Sequence, residues 1–186
     1  MNPDIEILQG DITKMAFDVI VNAARPSLLG GGGVDGAIHR AAGPLLREFC
    51  EMLPEQSPGI RCRTGQAFPS SGFNLLAEHV FHTVGPVYDE TLIIPEREYL
   101  PSDVDKDALL SQCYVQCLEL AEEFGARTIA FPAISCGVYG CPVEKGVEIA
   151  LKAFRSQHWL IDRITLVMFS DLDYLIAMDV FNRMGV

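Results

Sequence analysis

Residues 30–33 are four consecutive glycines, set between a buried apolar run ending at Asn22 and a helical stretch that begins at Val34. Glycine loses more backbone freedom on folding than any other residue. A run of four is therefore kept where the chain needs positive φ or where main chain must approach something closely. A helix start directly downstream adds unsatisfied N–H groups and the positive end of the helix dipole, which together favour an anion. A second loop, Ser135-Cys-Gly-Val-Tyr-Gly140, joins the apolar run Thr128-Ile-Ala-Phe131 to a helix starting at Pro142. One glycine-rich turn is most simply a tight turn. Two anion-friendly loops at one end of a sheet are suited to gripping a diphosphate.

The remaining elements decide whether the loops can share an end. Ile5-Glu-Ile-Leu8 alternates as a short strand, and Asp18-Val-Ile-Val21 is a buried one. A helix over Val34–Ala42 is closed by Gly43-Pro44, and the strand His79-Val-Phe-His-Thr-Val84 by Gly85-Pro86. Apolar positions from Asp107 to Phe124 follow a helical period, with Gly125 as cap. Val143, Val147, Ala150, Leu151 and Phe154 share a helix face after Pro142. Ile164–Phe169 is the last strand, and Asp171 is placed to cap the last helix. Strands alternating with helices imply an α/β sandwich with a largely parallel central sheet. In such sheets ligands sit beyond the carboxyl ends of the strands, where both loops emerge. The acidic stretch from Tyr88 to Asp105, with Pro95 and Pro101, breaks the rhythm and reads as a surface excursion. A length of 186 residues without a linker fits one domain spanning 1–186.

Charge and composition exclude several classes. With 25 acidic against 14 basic residues the net charge is −11, and no basic patch is visible for nucleic acid. Any phosphate must be held largely by backbone N–H groups and helix dipoles. Apolar runs are strand-sized, well short of the roughly 20 residues of a membrane span. The first residues carry no apolar signal segment, so a cytoplasmic location is expected. Cys50, Cys62, Cys113, Cys117, Cys136 and Cys141 show neither Cys-x-x-Cys nor His/Cys ligand spacing, and they read as free thiols without zinc. Gly31-Gly-Gly-Val-Asp-Gly36 formally matches the dinucleotide fingerprint. However, eight residues separate it from Asn22, and the Pro-Glu-Gln-Ser-Pro-Gly region around Glu55 is no strand end. No Gly-Lys-Ser/Thr follows, which excludes a P-loop.

Six segments carry a family resemblance: Gly10-Asp-Ile-Thr13, Val19–Ala24, Ser27–Pro44, Thr64-Gly-Gln-Ala67, His82-Thr-Val-Gly-Pro86 and Phe131–Gly140. In this order, spanning nearly the whole chain, they resemble the macrodomain family, within it the MacroD-type branch that includes bacterial O-acetyl-ADP-ribose deacetylases. The resemblance implies a three-layer α/β/α sandwich around a mixed sheet, no cofactor, and ADP-ribose or its O-acyl derivatives as ligand. ADP-ribosylated proteins are implied as further substrates. Residue by residue, it implies that Asp11 accepts from the adenine amino group with the backbone of Ile12 beside it. Phe169 would lie against adenine, where stacking can add about 0.5–1.5 kcal/mol. Ser135, Cys136, Gly137, Val138 and Tyr139 would form the phosphate loop, and Asn22, Gly32, Gly33, Val34 and Asp35 would surround the distal ribose. Asp35 would orient or activate the water that attacks an ester there. Read without the resemblance, Asp35 is a first-turn acid favouring the helix dipole.

Position 25 departs from the family pattern. Its enzymes usually read Asn-Ala-Ala-Asn, and this chain reads Asn22-Ala-Ala-Arg25. Asparagine offers a donor and an acceptor, whereas arginine offers donors and a permanent charge. Facing inward, Arg25 would pair with Asp35 and depress its pKa; facing solvent, it would leave the pocket short of an amide. Either way hydrolysis should be slower, and a non-catalytic ADP-ribose reader remains the alternative. Cys136 stands where threonine is commoner, and a helix N-terminus would lower its thiol pKa, although no histidine partner follows. His39 is expected to belong structurally to its helix, and His79 and His82 to a strand.

Overall fold

The computed structural model describes residues 3–94 and 97–186. Pro95, counted above in the 88–105 stretch, lies outside them. In chain order the elements are β1 (Asp4–Gln9), a 3₁₀ turn (Ile12–Lys14), β2 (Val19–Ala23), α1 (Gly33–Ala42), α2 (Pro44–Met52), β3 (Ala67–Ser71), β4 (His79–Thr83), α3 (Lys106–Glu123), β5 (Thr128–Pro132), α4 (Val143–Phe154), β6 (Arg163–Met168) and α5 (Asp171–Met184). The strands form one sheet in the order β1-β6-β5-β2-β4-β3. All neighbours pair parallel except β3, which runs antiparallel to β4.

Successive strand residues point to opposite faces, and each face is covered by helices. Val19, Val21, Phe81, Ile129, Phe131, Ile164 and Leu166 pack against α3, α4 and α5. Their neighbours Ile20, Val80, Ala130 and Val167 pack on the other side, with Ile38 of α1 and Leu46 of α2. The result is the expected three-layer α/β/α sandwich around a mixed, largely parallel sheet.

Several boundaries differ from the sequence reading. Pro44 does not merely end α1: it occupies the first turn of α2, where its missing N–H costs nothing. The strand β3 was hidden by Pro69 and by its polar Ser70 and Ser71. It survives because β3 is an edge strand, where a proline removes no needed ladder bond. The cap of α5 is Ser170, whose hydroxyl accepts from the Asp173 amide at 3.1 Å. Asp171 lies one residue inside, in the first turn. The 88–105 stretch holds neither helix nor strand among its described residues, but it is fastened to the body. The Tyr88 and Asp89 amides both donate to the Tyr139 carbonyl, at 2.7 and 3.1 Å, and Glu98 accepts from the Thr64 amide at 2.7 Å.

Tyr114 on α3 ties the core to the second loop. It is fully buried, packs against the rings of Phe131 and Phe154, and its hydroxyl accepts from the Ile134 amide at 3.1 Å. Tyr114→Phe leaves that buried N–H without an acceptor, which costs about 1–3 kcal/mol. Thermal unfolding of this variant should show a midpoint lowered by roughly 2–4 °C per kcal/mol for a chain of this size. An unchanged midpoint would show that the bond carries no stability.

Candidate active site

The crevice between β2 and β5 is the switch point of the sheet. From β2 the chain turns through α1 and α2 towards β3 and β4, while from β5 it turns through α4 to β6 on the other side. Loops leaving the carboxyl ends of these neighbours diverge and leave a cleft between them. The glycine run and the Ser135–Gly140 loop are those two loops.

The cleft has two connected halves. One, of about 330 Å³, is lined by Arg25, Gly32, Gly33, Val34, Asp35, Ser135, Gly137, Val138 and Tyr139. The other, of about 520 Å³, is lined by Asp11, Ile12, Cys136 and Phe169 among others. Gly33, Val34, Ala133 and Gly137 belong to both. Every residue that the sequence assigned a role at the ligand site therefore lines the cleft except Asn22, which is fully buried and reaches the site through Asp35. Leu92, Ile93 and Ile94, from the supposed surface excursion, form a wall of the first half.

Anion-binding groups meet at the junction. Gly32 caps α1 without a side-chain bond, so no capping side chain satisfies the first amides of the helix. In the facing loop, the Gly137, Val138 and Tyr139 amides make no bond among the described residues. Ser135 is held in the left-handed region at φ 64, and its hydroxyl donates to the Pro86 carbonyl at 2.8 Å. A Cβ at Gly85 would come within 2.2 Å of that hydroxyl oxygen, so only glycine leaves room for the turn. Gly30 is likewise required, at φ +83 with its missing Cβ facing the His39 ring.

At the far end of the first half stands Asp35, 3% exposed. Asn22 Nδ2 donates to its Oδ1 at 2.8 Å, and His39 Nε2 lies 3.5 Å from the same oxygen. Oδ2 has no hydrogen-bond partner among the described residues. Burial raises the Asp35 pKa above the usual carboxylate value, outweighing the Asn22 bond and the positive fields of His39 and Arg25. Burial also lowers that of His39. Arg25 does lower the Asp35 pKa, as expected, but desolvation outweighs it and the net shift is upward. The Arg25 guanidinium donates to the Gly30 carbonyl at 3.1 Å and braces the glycine loop. His39 is the site residue that the sequence reading missed. The available signal was its i,i+4 spacing from Asp35, which places both on one helix face.

At the other end Asp11 accepts from the Thr13 amide and hydroxyl at 3.0 and 2.7 Å. These bonds, the hydroxyl's foremost, hold its pKa below the ordinary value despite partial burial. Phe169, just past β6, is 82% exposed and presents a free ring face. Cys136 is not an activated thiol. The hydrogen bond that Cys136 donates to neighbouring Cys141, with burial behind it, raises its pKa rather than lowering it.

Comparison with known proteins places this arrangement. The macro domain family model matches residues 21–150. An O-acetyl-ADP-ribose deacetylase of Escherichia fergusonii is 46% identical over 92% of this chain and 91% of its own length. A macro domain-containing protein of Xanthomonas campestris is 51% identical over 91% of this chain and 90% of its own. Among solved structures, an Oceanobacillus iheyensis macrodomain with ADP aligns with a TM-score of 0.83 at 40% identity, covering 96% of this chain and 90% of that one. A Trypanosoma brucei macrodomain in complex with ADP-ribose aligns at 0.76 and 35% identity, covering 94% and 68%. The chain belongs to the macro domain family.

The buried acid makes a stability prediction. A carboxyl whose folded pKa is raised stabilises the fold only while protonated. That contribution is lost as pH rises from the unfolded value of about 3.9 through the raised folded one. Asp35→Asn removes the burden and still accepts from Asn22. Its melting temperature should exceed that of the parent at neutral pH, with the gap closing near pH 4. A variant less stable than the parent at neutral pH contradicts this account.

Proposed function

We propose that the chain is a single macro domain that binds ADP-ribose and hydrolyses esters on its distal ribose. The substrates are O-acetyl-ADP-ribose or ADP-ribose joined to aspartate or glutamate side chains. One observation carries the reading: the uncapped start of α1 and the Gly137–Tyr139 loop, whose amides have no partner among the described residues, line the middle of one cleft, with Asp35 at one end and the exposed ring of Phe169 at the other. A diphosphate suits the amides in a protein whose net charge of −11 would otherwise repel it. The adenine would lie between Phe169 and Asp11, and the distal ribose beside Gly32, Gly33, Val34 and Asp35. The relatives named as deacetylases and the structures with ADP or ADP-ribose support the same ligand.

In the hydrolytic step a water held by the Asp35 carboxylate gives up a proton as its oxygen adds to the ester carbonyl. The tetrahedral adduct then expels the ribose oxygen, which takes up a proton and leaves as a hydroxyl, while the acyl group departs as a carboxylic acid. A positioned general base contributes typically 10²–10⁴-fold, and the raised pKa strengthens Asp35 as a base once it is deprotonated. Arg25 favours a second reading, in which the domain binds ADP-ribose without turnover. The residue occupies the position of a family asparagine and offers the site no amide acceptor.

Turnover of a glutamate- or aspartate-linked ADP-ribosylated protein, followed by release of ADP-ribose, separates the two. Asp35→Ala should lower the rate by about 10²-fold or more, and Arg25→Asn should raise it. Tight calorimetric binding without turnover leaves the reader alone. No binding of free ADP-ribose at micromolar concentration removes both.

A further inference from the structure

The mechanism leaves unused a line of buried polar groups that runs from the far side of β4 to Asp35. Ser70 on β3 and His82 on β4 are 4% and 1% exposed, and Asn22 on β2 is fully buried. Ser70 Oγ lies 2.8 Å from His82 Nε2, His82 Nδ1 lies 3.1 Å from Asn22 Nδ2, and Asn22 Nδ2 lies 2.8 Å from Asp35 Oδ1. The three strands lie side by side, with β4 in the middle, and Asn22 and His82 are partners in the parallel register.

The direction of every bond in this line follows from its two ends. Ser70 Oγ also faces the Val80 and Ser71 carbonyls, at 3.3 and 3.2 Å, and a carbonyl only accepts. With its single hydroxyl proton given to one of these carbonyls, Oγ accepts from His82 Nε2–H. The ring then carries no proton on Nδ1, which accepts from Asn22. At the other end the Asp35 carboxylate also only accepts. Asn22 therefore turns its NH₂ group to both neighbours, and its Oδ1 is left without a partner among the described residues. The opposite tautomer would need Asn22 flipped, which would set its carbonyl oxygen against the carboxylate. Burial lowers the His82 pKa to about 3, so the ring stays neutral near neutral pH.

We propose that His82 is a positioning residue for the distal end of the site: its Nε2–H tautomer, set by Ser70, fixes the orientation of the Asn22 amide, which in turn holds the Asp35 carboxylate through Oδ1. The proposal rests on the function proposed above for the role it assigns, but its tautomer is measurable without any substrate. His82 thereby differs from His39, which touches Asp35 directly.

The test begins on the unaltered protein. Two-bond proton–nitrogen correlation near neutral pH should show the His82 ring protonated on Nε2 only; protonation on Nδ1 overturns the proposal. Two variants then separate positioning from packing. His82→Asn places an acceptor where Nδ1 was, whereas His82→Leu fills the space with none. His82→Leu should lose about tenfold or more in kcat with KM changed less than about threefold, and His82→Asn should retain most of the rate. A folded His82→Leu with full turnover, or equal loss in both variants, overturns the proposal. Should His82→Leu not fold, Ser70→Ala serves, with a mixed tautomer and a reduced kcat expected; an unchanged tautomer and rate overturn it. If the parent binds ADP-ribose without turnover, the same comparison is read on Kd. If the parent does not bind ADP-ribose, the proposed function fails, and the tautomer result still decides the polarity of the line.

Discussion

β2 and β5 are remote in the chain and adjacent in the sheet, where Val19 and Ile20 pair with Ile129 and Ala130. Both the cleft and its contents depend on that pairing. Because the two strands run parallel, their carboxyl ends lie together, and because their crossovers diverge, nothing fills the space between the loops that follow. The apolar alternation along each strand makes the pairing compulsory. A slip by one residue would exchange the residues packed under α3 and α4 with those under α1, turning buried side chains to the wrong face.

The two ends of the cleft solve different problems. At the junction, the groups proposed to hold the diphosphate are main-chain amides, whose geometry depends on glycines and on the strained Ser135 turn rather than on side-chain chemistry. This explains why Cys136 is compatible with the loop despite standing where threonine is commoner. It also explains how so acidic a protein can present a site for an anion, since the favourable field is local to the helix end and loop. At the distal end the reverse holds. Asp35 is buried at a cost to stability, and the line through Asn22, His82 and Ser70 orients it instead of neutralising it. Arg25 acts on both, bracing the loop through its bond to the Gly30 carbonyl and lowering the Asp35 pKa through its charge.

Much of this was legible in the chain alone. The strands around Val19, Val80, Ile129 and Ile164 announced themselves by apolar runs, and α3 and α4 by their period. Asp35 was picked out by the family resemblance; its place in the first turn of a helix after a glycine run marked it by itself only as an acid favouring the helix dipole. What escaped did so for identifiable reasons. Pro69 and two serines disguised an edge strand, and Pro44 was read as a terminator though it also begins helices. His39 and His82 looked like ordinary members of their elements, since neither has a partner near it in sequence apart from the one-turn spacing to Asp35. The described part of the 88–105 stretch lacks periodicity, so nothing local foretold that Leu92, Ile93 and Ile94 would wall the cleft.

The sequence by itself determined the elements, their alternation, the two glycine-bearing turns and the family pattern, because these follow from local backbone preference and from hydrophobic period. Tertiary structure alone decided the direction of the Asp35 pKa shift, the orientation of Arg25 and the line from Ser70 to Asp35. Burial and hydrogen-bond polarity are properties of surroundings contributed by four separate elements, β2, α1, β3 and β4, and no stretch of chain contains them.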